Sequence, residues 1–399
     1  MGVIDVDSHW WEPLTWLQES DPDLQELLHT ELPPQSFAEV IFGEVVAQLP
    51  EDQRQSFFDI PTLKMMGGMR PDKTVDLAQM EQKLQESPMA AIVNQPGARD
   101  AAGRLEWADA EGIDLQIVNP TLPLATLHEL RRHRPDLINR FCEAYNRWTV
   151  DRIDGHTDRM APTAMGNFSD PAWTLAELER VRSEGSRSYL VPMYPIDGRS
   201  IAHVDFEDIW SASVDLGMIP VFHVASGSVT FDPGWCDTGR DNTAQAAFLL
   251  AASQNPQIAQ IPLAAMVVNG VFERHPDLVV LCSEFSLSWV PGWMDQLGVV
   301  SRHGTPNISM LVGWPWPMKA HEYVARNIRF SPLPNNLVHE LTDELGIQSV
   351  LFASDYPHPE GSAKAVEHFH DQLDDRFTDD ELAAFFSGNA QDLLAGTAT

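Results

Sequence analysis

Cations are scarce in this chain of 399 residues: 26 Lys and Arg stand against 58 Asp and Glu, a formal charge of −32 with histidine neutral. Phosphate backbones are gripped by clustered Lys and Arg, and anionic membrane surfaces draw basic patches, so the composition excludes both as partners. The acidity itself reads as solubility. Cysteine is scarcer still. Cys142, Cys236 and Cys282 are too few and too scattered for a disulfide framework or a thiolate metal site, and they fit a reducing cytoplasm. Long apolar runs are missing as well. The richest stretch, residues 258–272, is interrupted by Gln260, Pro262 and Asn269, which argues against a membrane span. The opening MGVIDVDSHW has neither a basic leader nor an apolar segment, so we expect no signal peptide and a cytoplasmic protein.

What the chain does contain is a regular succession of short β-branched runs. Residues 3–7, 113–118, 160–165, 187–191, 219–223, 278–283, 328–330 and 349–354 make eight expected strands. Helical patterns separate many of them, at 137–153, 171–183, 205–216, 243–275 and 335–345. Strand–helix alternation implies parallel pairing with crossover helices. Eight such units over this length predict an α/β fold, a (β/α)8 TIM barrel, as one domain spanning 1–399. Residues 10–104 break the alternation with Pro33-Pro34, Pro61, Gly67-Gly68 and Pro71. We read them as a long insertion after the first strand, serving as a lid or a dimer surface. Twelve tryptophans, among them Trp10, Trp11, Trp314 and Trp316 in the long loops, point to a flat aromatic ligand or to a homodimer seam.

Barrel enzymes gather reactive groups at the C-terminal ends of their strands. The first run ends Asp5-Val6-Asp7-Ser8-His9, and residues two apart on a strand share a face. The fifth ends in His223 and the eighth in Asp355-Tyr356-Pro357-His358. Asp7, His9, His223 and Asp355 can therefore converge at one mouth. Two carboxylates and two imidazoles suit Zn²⁺, Mn²⁺ or Fe²⁺ rather than Ca²⁺, with zinc the leading expectation.

These residues resemble the amidohydrolase-related (amidohydrolase 2) family, which includes aminocarboxymuconate-semialdehyde-decarboxylase-like enzymes. The resemblance runs end to end. It is carried by VIDVDSHWWEP, IDLQIVNPTLP, AYNRWTVDRIDGHTDRMAP, FHVAS, GVFERHPDLVVLCSE and LFASDYPHPEG. It implies a barrel with one metal ion at its mouth, held by Asp7, His9, His223 and Asp355. One departure stands out: decarboxylases of the family carry a histidine after the sixth strand, where this chain has Cys282-Ser283-Glu284-Phe285. Glu284 would move a proton if burial against Trp289 raised its pKa, or would orient a ligand histidine. Glu12 and His358 are expected to touch substrate or lock the site by hydrogen bonds. Arg274, Arg70 and Lys64 are candidates to meet an anionic substrate.

The resemblance implies a metal-dependent, non-oxidative decarboxylase of an aromatic or unsaturated carboxylic acid, with Asp355 or Glu284 delivering the proton. The alternative is a hydrolase of an ester, lactone or amide, in which Asp355 takes a proton from a metal-activated water. A barrel that has lost its chemistry would be expected to have lost one of the four ligand candidates, and this chain keeps them all.

Overall fold

The computed structural model describes residues 2–32, 77–86, 90–237, 239, 243–301 and 313–396. Seven strands line up in chain order, each parallel to the next: β1 (Val3–His9), β2 (Ile113–Asn119), β3 (Met160–Ala164), β4 (Ser188–Leu190), β5 (Ile219–His223), β6 (Val280–Ser283) and β7 (Ile328–Phe330). Apart from single exposed and half-buried positions at the start of β2, these strands are buried throughout. That is why they read as apolar runs: in a barrel one face meets the packed interior and the other meets helices.

The eighth expected run is not a regular strand, although it lies where the barrel needs it. The Leu351 amide donates to Phe330 O (3.0 Å) on β7, and on the other side Val6 donates to Phe352 O (3.1 Å). Asp355 donates to Asp7 O (2.7 Å), and His9 to Tyr356 O (2.8 Å). The ladder is incomplete because the Phe352 amide turns outward to Phe385 O (3.1 Å) and because Asp355 sits at φ +51°. The segment thus ties β7 to β1 through isolated bridges, and the architecture is the (β/α)8 barrel that the sequence predicts.

Helix boundaries follow local chemistry. The helix Pro171–Ser183 begins with proline at its first position, after Asp170 Oδ1 accepts the Trp173 amide (3.1 Å). The helix Glu207–Leu216 ends at Gly217, φ +60°. The single helix expected over 243–275 is instead three pieces, Thr243–Ser253, Gln257–Val268 and Val271–Arg274. Asn255-Pro256 stops the first, because a residue before proline disfavours helical backbone. Gly270, in the left-handed region at φ +71°, separates the other two. Of the insertion, the helices Trp16–Ser20, Pro22–Glu31, Leu77–Gln85 and Ala90–Val93 are described. Its Pro33-Pro34, Pro61, Gly67-Gly68 and Pro71, with Lys64 and Arg70, lie outside the described residues.

Candidate metal centre

The first strand delivers two groups to one point. The pairing of β1 with β2 shifts register between Asp5 and Ser8, an irregularity of the kind that re-aims side chains beside active sites. Asp7 lies within it and His9 just beyond, both buried, with His9 Nε2 3.3 Å from Asp7 Oδ1. From β5, His223 places Nε2 3.3 Å from Asp7 Oδ1 and 3.1 Å from His9 Nε2. From the end of β6, Glu284 Oε2 stands 3.0 Å from His223 Nε2 and 3.5 Å from His9 Nε2. Asp355 Oδ1 approaches His9 Nε2 at 3.6 Å and accepts from His358 Nδ1 at 2.9 Å. All four sequence-predicted ligands and Glu284 are thus brought together. Glu284 (φ +62°) and Asp355 (φ +51°) both occupy the left-handed region that non-glycine residues avoid. Such strain gathers where the surroundings fix a side chain for function.

The imidazoles are oriented from behind. His223 Nδ1 donates to Val224 O (2.7 Å) and His9 Nδ1 faces Pro120 O (3.3 Å), so each ring turns its Nε2 lone pair inward. Asp7 Oδ1, His9 Nε2, His223 Nε2 and Glu284 Oε2 are then four electron-rich atoms in mutual contact. With both rings neutral such a set repels itself unless a cation lies among them; without a metal ion, protons on the imidazoles take that place, as the raised His9 and His223 show. Two more observations fit a metal ion. Glu284 Oε2 and Asp355 Oδ2 are buried oxygens without a hydrogen-bond donor, and His9, Glu284, Asp355 and His358 form a second overlapping group with metal-ligand spacing.

Charge crowding splits the carboxyls. Burial opposes ionisation of Glu284, but the facing His223 and His9 outweigh it and hold the carboxyl at about 2. Asp7 is depressed in the same way, burial being overcome by His223 and His9. Asp355 moves the other way: burial first, then the Glu284 and Asp7 charges, push it well above the usual carboxylate range. The raised carboxyl expected at Glu284 is therefore Asp355, because burial and the Glu284 and Asp7 charges act on it while its neighbour His358 is itself held neutral. His358 is lowered to about 3 by burial and by His9.

The other predicted residues surround this cluster. Glu12, wholly buried, accepts the Thr121 amide (3.1 Å), the Leu122 amide (3.0 Å) and the Tyr145 hydroxyl (3.3 Å). It therefore fixes the loop after β2, and through Thr121, which touches His9 and His358, it locks the edge of the cluster by hydrogen bonds. His358 joins Asp355 to Thr121 Oγ1 (2.9 Å). Trp289 stands apart, packed against Trp293 and Phe330. Trp10 is buried beside Arg104, and Trp11 meets the His358 ring edge-on at 6.1 Å. Arg274 is no substrate anchor, being engaged by Glu207 (2.6 Å). Sequence reasoning missed Asn119, which donates to Asp7 Oδ1 (2.7 Å), and Thr121. Both directly follow or end the second run, so reading that strand end like the others would have found them. It also missed Arg104, a buried guanidinium that grips the His9 carbonyl and Gly97 O; helix periodicity gave no signal for it.

On the same end of the barrel lies a small cleft of about 30 Å³, whose lining includes none of the cluster's residues. Its walls come from the segments after β2, β3, β4 and β5: Leu124, Leu127, Met165, Val191 and Pro192 supply apolar surface, with Arg131, Tyr194 and Ser226 as polar groups.

The family model described as "Amidohydrolase" matches residues 4–395. No curated protein matches the chain in sequence. Among solved structures, an amidohydrolase from Mycobacterium avium subsp. paratuberculosis K-10 is similar with a TM-score of 0.68 at 19% identity, covering 98% of this chain and 99% of its own. The 5-carboxyvanillate decarboxylase of Sphingomonas paucimobilis gives 0.61 at 17%, covering 99% of both chains. A dihydroxybenzoic acid decarboxylase from Polaromonas sp. JS666, solved with manganese and the inhibitor 2-nitroresorcinol, gives 0.59 at 14%, covering 99% of this chain and 97% of its own.

Proposed function

We propose, from the premise that this chain belongs to the amidohydrolase family, that it is a metal-dependent, non-oxidative decarboxylase of an aromatic or unsaturated carboxylic acid. The observation that carries the reading is geometric: Asp7, His9, His223 and Glu284 bring ligand atoms together at one buried point at the barrel mouth, with Asp355 and His358 beside them. The sequence reading gives the ion to Asp7, His9, His223 and Asp355. Zinc is its leading choice, and the manganese bound in structurally similar decarboxylases sets Mn²⁺ beside it. A bound divalent ion supplies Lewis acidity toward the substrate's carboxylate and an adjacent oxygen.

The chain's own groups do the rest. In this reading Asp355, held by His358 and through it by Thr121, hands its proton to the carbon that bears the carboxylate. The carbon–carbon bond then breaks, its electron pair staying on that carbon framework, and CO₂ leaves. The fold is shared with decarboxylases of 5-carboxyvanillate and dihydroxybenzoic acid, which supports an aromatic acid. A small-molecule substrate, a homodimer and a cytoplasmic location complete the proposal.

The test is direct. Protein reconstituted with Mn²⁺ or Zn²⁺ is incubated with a panel of hydroxybenzoates, and released CO₂ is measured with and without chelator. Chelator-sensitive CO₂ release is the expected result. Cleavage of esters or lactones without any CO₂ would transfer the assignment to the hydrolase.

A further inference from the structure

The four donor atoms that lie closest together are not the four that the family resemblance names. Asp7 Oδ1, His9 Nε2 and His223 Nε2 form a triangle with sides of 3.3, 3.3 and 3.1 Å. The atom standing over it is Glu284 Oε2, 3.0 Å from His223 Nε2 and 3.5 Å from His9 Nε2. Asp355 Oδ1 is farther from His9, at 3.6 Å, and is already bound by His358. Five of the six separations are 3.0–3.5 Å and the sixth, Asp7 to Glu284, is within 4.8 Å. A regular tetrahedron with edges of about 3.3 Å would have its centre about 2.0 Å from each corner, the bond length zinc takes to imidazole nitrogen and carboxylate oxygen.

We propose that Glu284 is a direct metal ligand in this chain, completing a set with Asp7, His9 and His223, and that Asp355 stands outside that set. The inference rests on the metal-dependent reading above and refines which atoms serve it. Three independent features support it. The Glu284 side chain is only 9% exposed, and its Oε2 has no hydrogen-bond donor. Its backbone is held at φ +62°, a conformation that turns the side chain of a residue just past β6 back over the mouth. Two carboxylates also match the charge of a dication, which a third would exceed. The histidine missing after the sixth strand is then replaced by a ligand, and Asp355 is left with His358 as a proton carrier.

Metal uptake tests this without any substrate. Metal-free wild type, Glu284→Gln, Glu284→His and Asp355→Asn are titrated with Co²⁺, reading the visible absorption band and the affinity by competition with a chromophoric chelator. Loss of an outer-shell partner typically costs ~10–100-fold in affinity. Asp355→Asn should stay within that range and keep the wild-type band, while Glu284→Gln should lose more than ~100-fold and change the band. Glu284→His, which restores a ligating side chain, should bind tightly with a shifted band. Matching far-UV circular dichroism of the metal-free proteins separates ligand loss from misfolding; if Glu284→Gln misfolds, an unshifted band in Glu284→His overturns the proposal. Wild-type affinity in Glu284→Gln together with lost binding in Asp355→Asn also overturns it, leaving the metal-dependent reading intact. A wild type that takes up no Co²⁺ overturns both.

Discussion

Two clusters in this molecule use the same residue types to opposite ends. In the outer layer, Glu207 meets Arg274 at 2.6 Å and His275 at 2.7 Å. At the barrel mouth, Asp7, Glu284 and Asp355 meet His9 and His223. Glu207 is partly exposed, and its partners pull its carboxyl below the ordinary value despite some burial. Each charge there has an opposite neighbour and access to water, so the cluster stores little. At the mouth three carboxyls share a dry space, one is forced far upward, and two oxygens lack donors. Proximity of histidine to carboxylate therefore does not mark function. Burial that leaves like charges together and lone pairs unmatched does, because folding tolerates that cost only where something else supplies the missing charge.

The sharpest way to break this contrast is to remove one imidazole from the mouth. His223→Ala takes away a donor that touches Asp7, His9 and Glu284 at once. We expect metal content after purification to fall from about one ion per chain to almost none, with activity down ~1000-fold or more, as befits loss of a residue that acts as part of a unit. Elemental analysis decides it: a His223→Ala protein that keeps its ion would mean that the cluster is not the metal centre.

Glu12 lies between the two extremes and sharpens the comparison. It is as buried as the mouth carboxyls, yet backbone amides and a tyrosine hydroxyl satisfy it. Burial still raises its carboxyl to about 7, with the Leu122 and Thr121 amides opposing the rise. A carboxyl raised on folding adds stability that is fully present below its unfolded value, near 4.5, and is lost as pH climbs through about 7. Glu12→Gln should remove that slope, worth of order 3 kcal/mol across the window. Urea unfolding in the presence of chelator, at pH 5 and at pH 7.5, reads it. An unchanged slope in the variant would show that Glu12 ionises in the fold as it does in the unfolded chain.

The contrast also explains how far the sequence could be read. Strands were legible because barrel strands are buried on both faces, so runs such as Ile219–His223 and Val280–Ser283 stand out whatever surrounds them. The ligand positions were legible because strand ends alternate in a fixed way, which aligned Asp7 and His9. Partnership was not legible. Nothing in the letters near Glu284 says that two imidazoles hold its carboxyl down while burial and the charges of Glu284 and Asp7 push Asp355 up, and that arrangement reverses their expected protonation. The irregular eighth segment was hidden for a similar reason: its departure from the ladder depends on Phe385, over thirty residues away in the chain. The break at Asn255-Pro256, by contrast, was written in the sequence and simply outweighed by the apolar pattern around it.

The smallest effect belongs to the outer cluster. Glu207→Gln removes the charge that holds Arg274 and His275 while leaving a side chain of the same shape. Because these groups are partly exposed, the pair is worth ~0–1 kcal/mol once solvent screening is counted. We expect a loss of stability within that range, eased further at high salt where the wild-type pair is itself weakened. Metal content and turnover should stay at wild-type levels, since no hydrogen bond joins Glu207 to the mouth among the described residues. The measurement is a thermal melt at low and high ionic strength beside an elemental analysis. Loss of the ion from Glu207→Gln would break the comparison at its root, by showing that the outer charges hold the mouth in place through the segment that leads from Arg274 into β6.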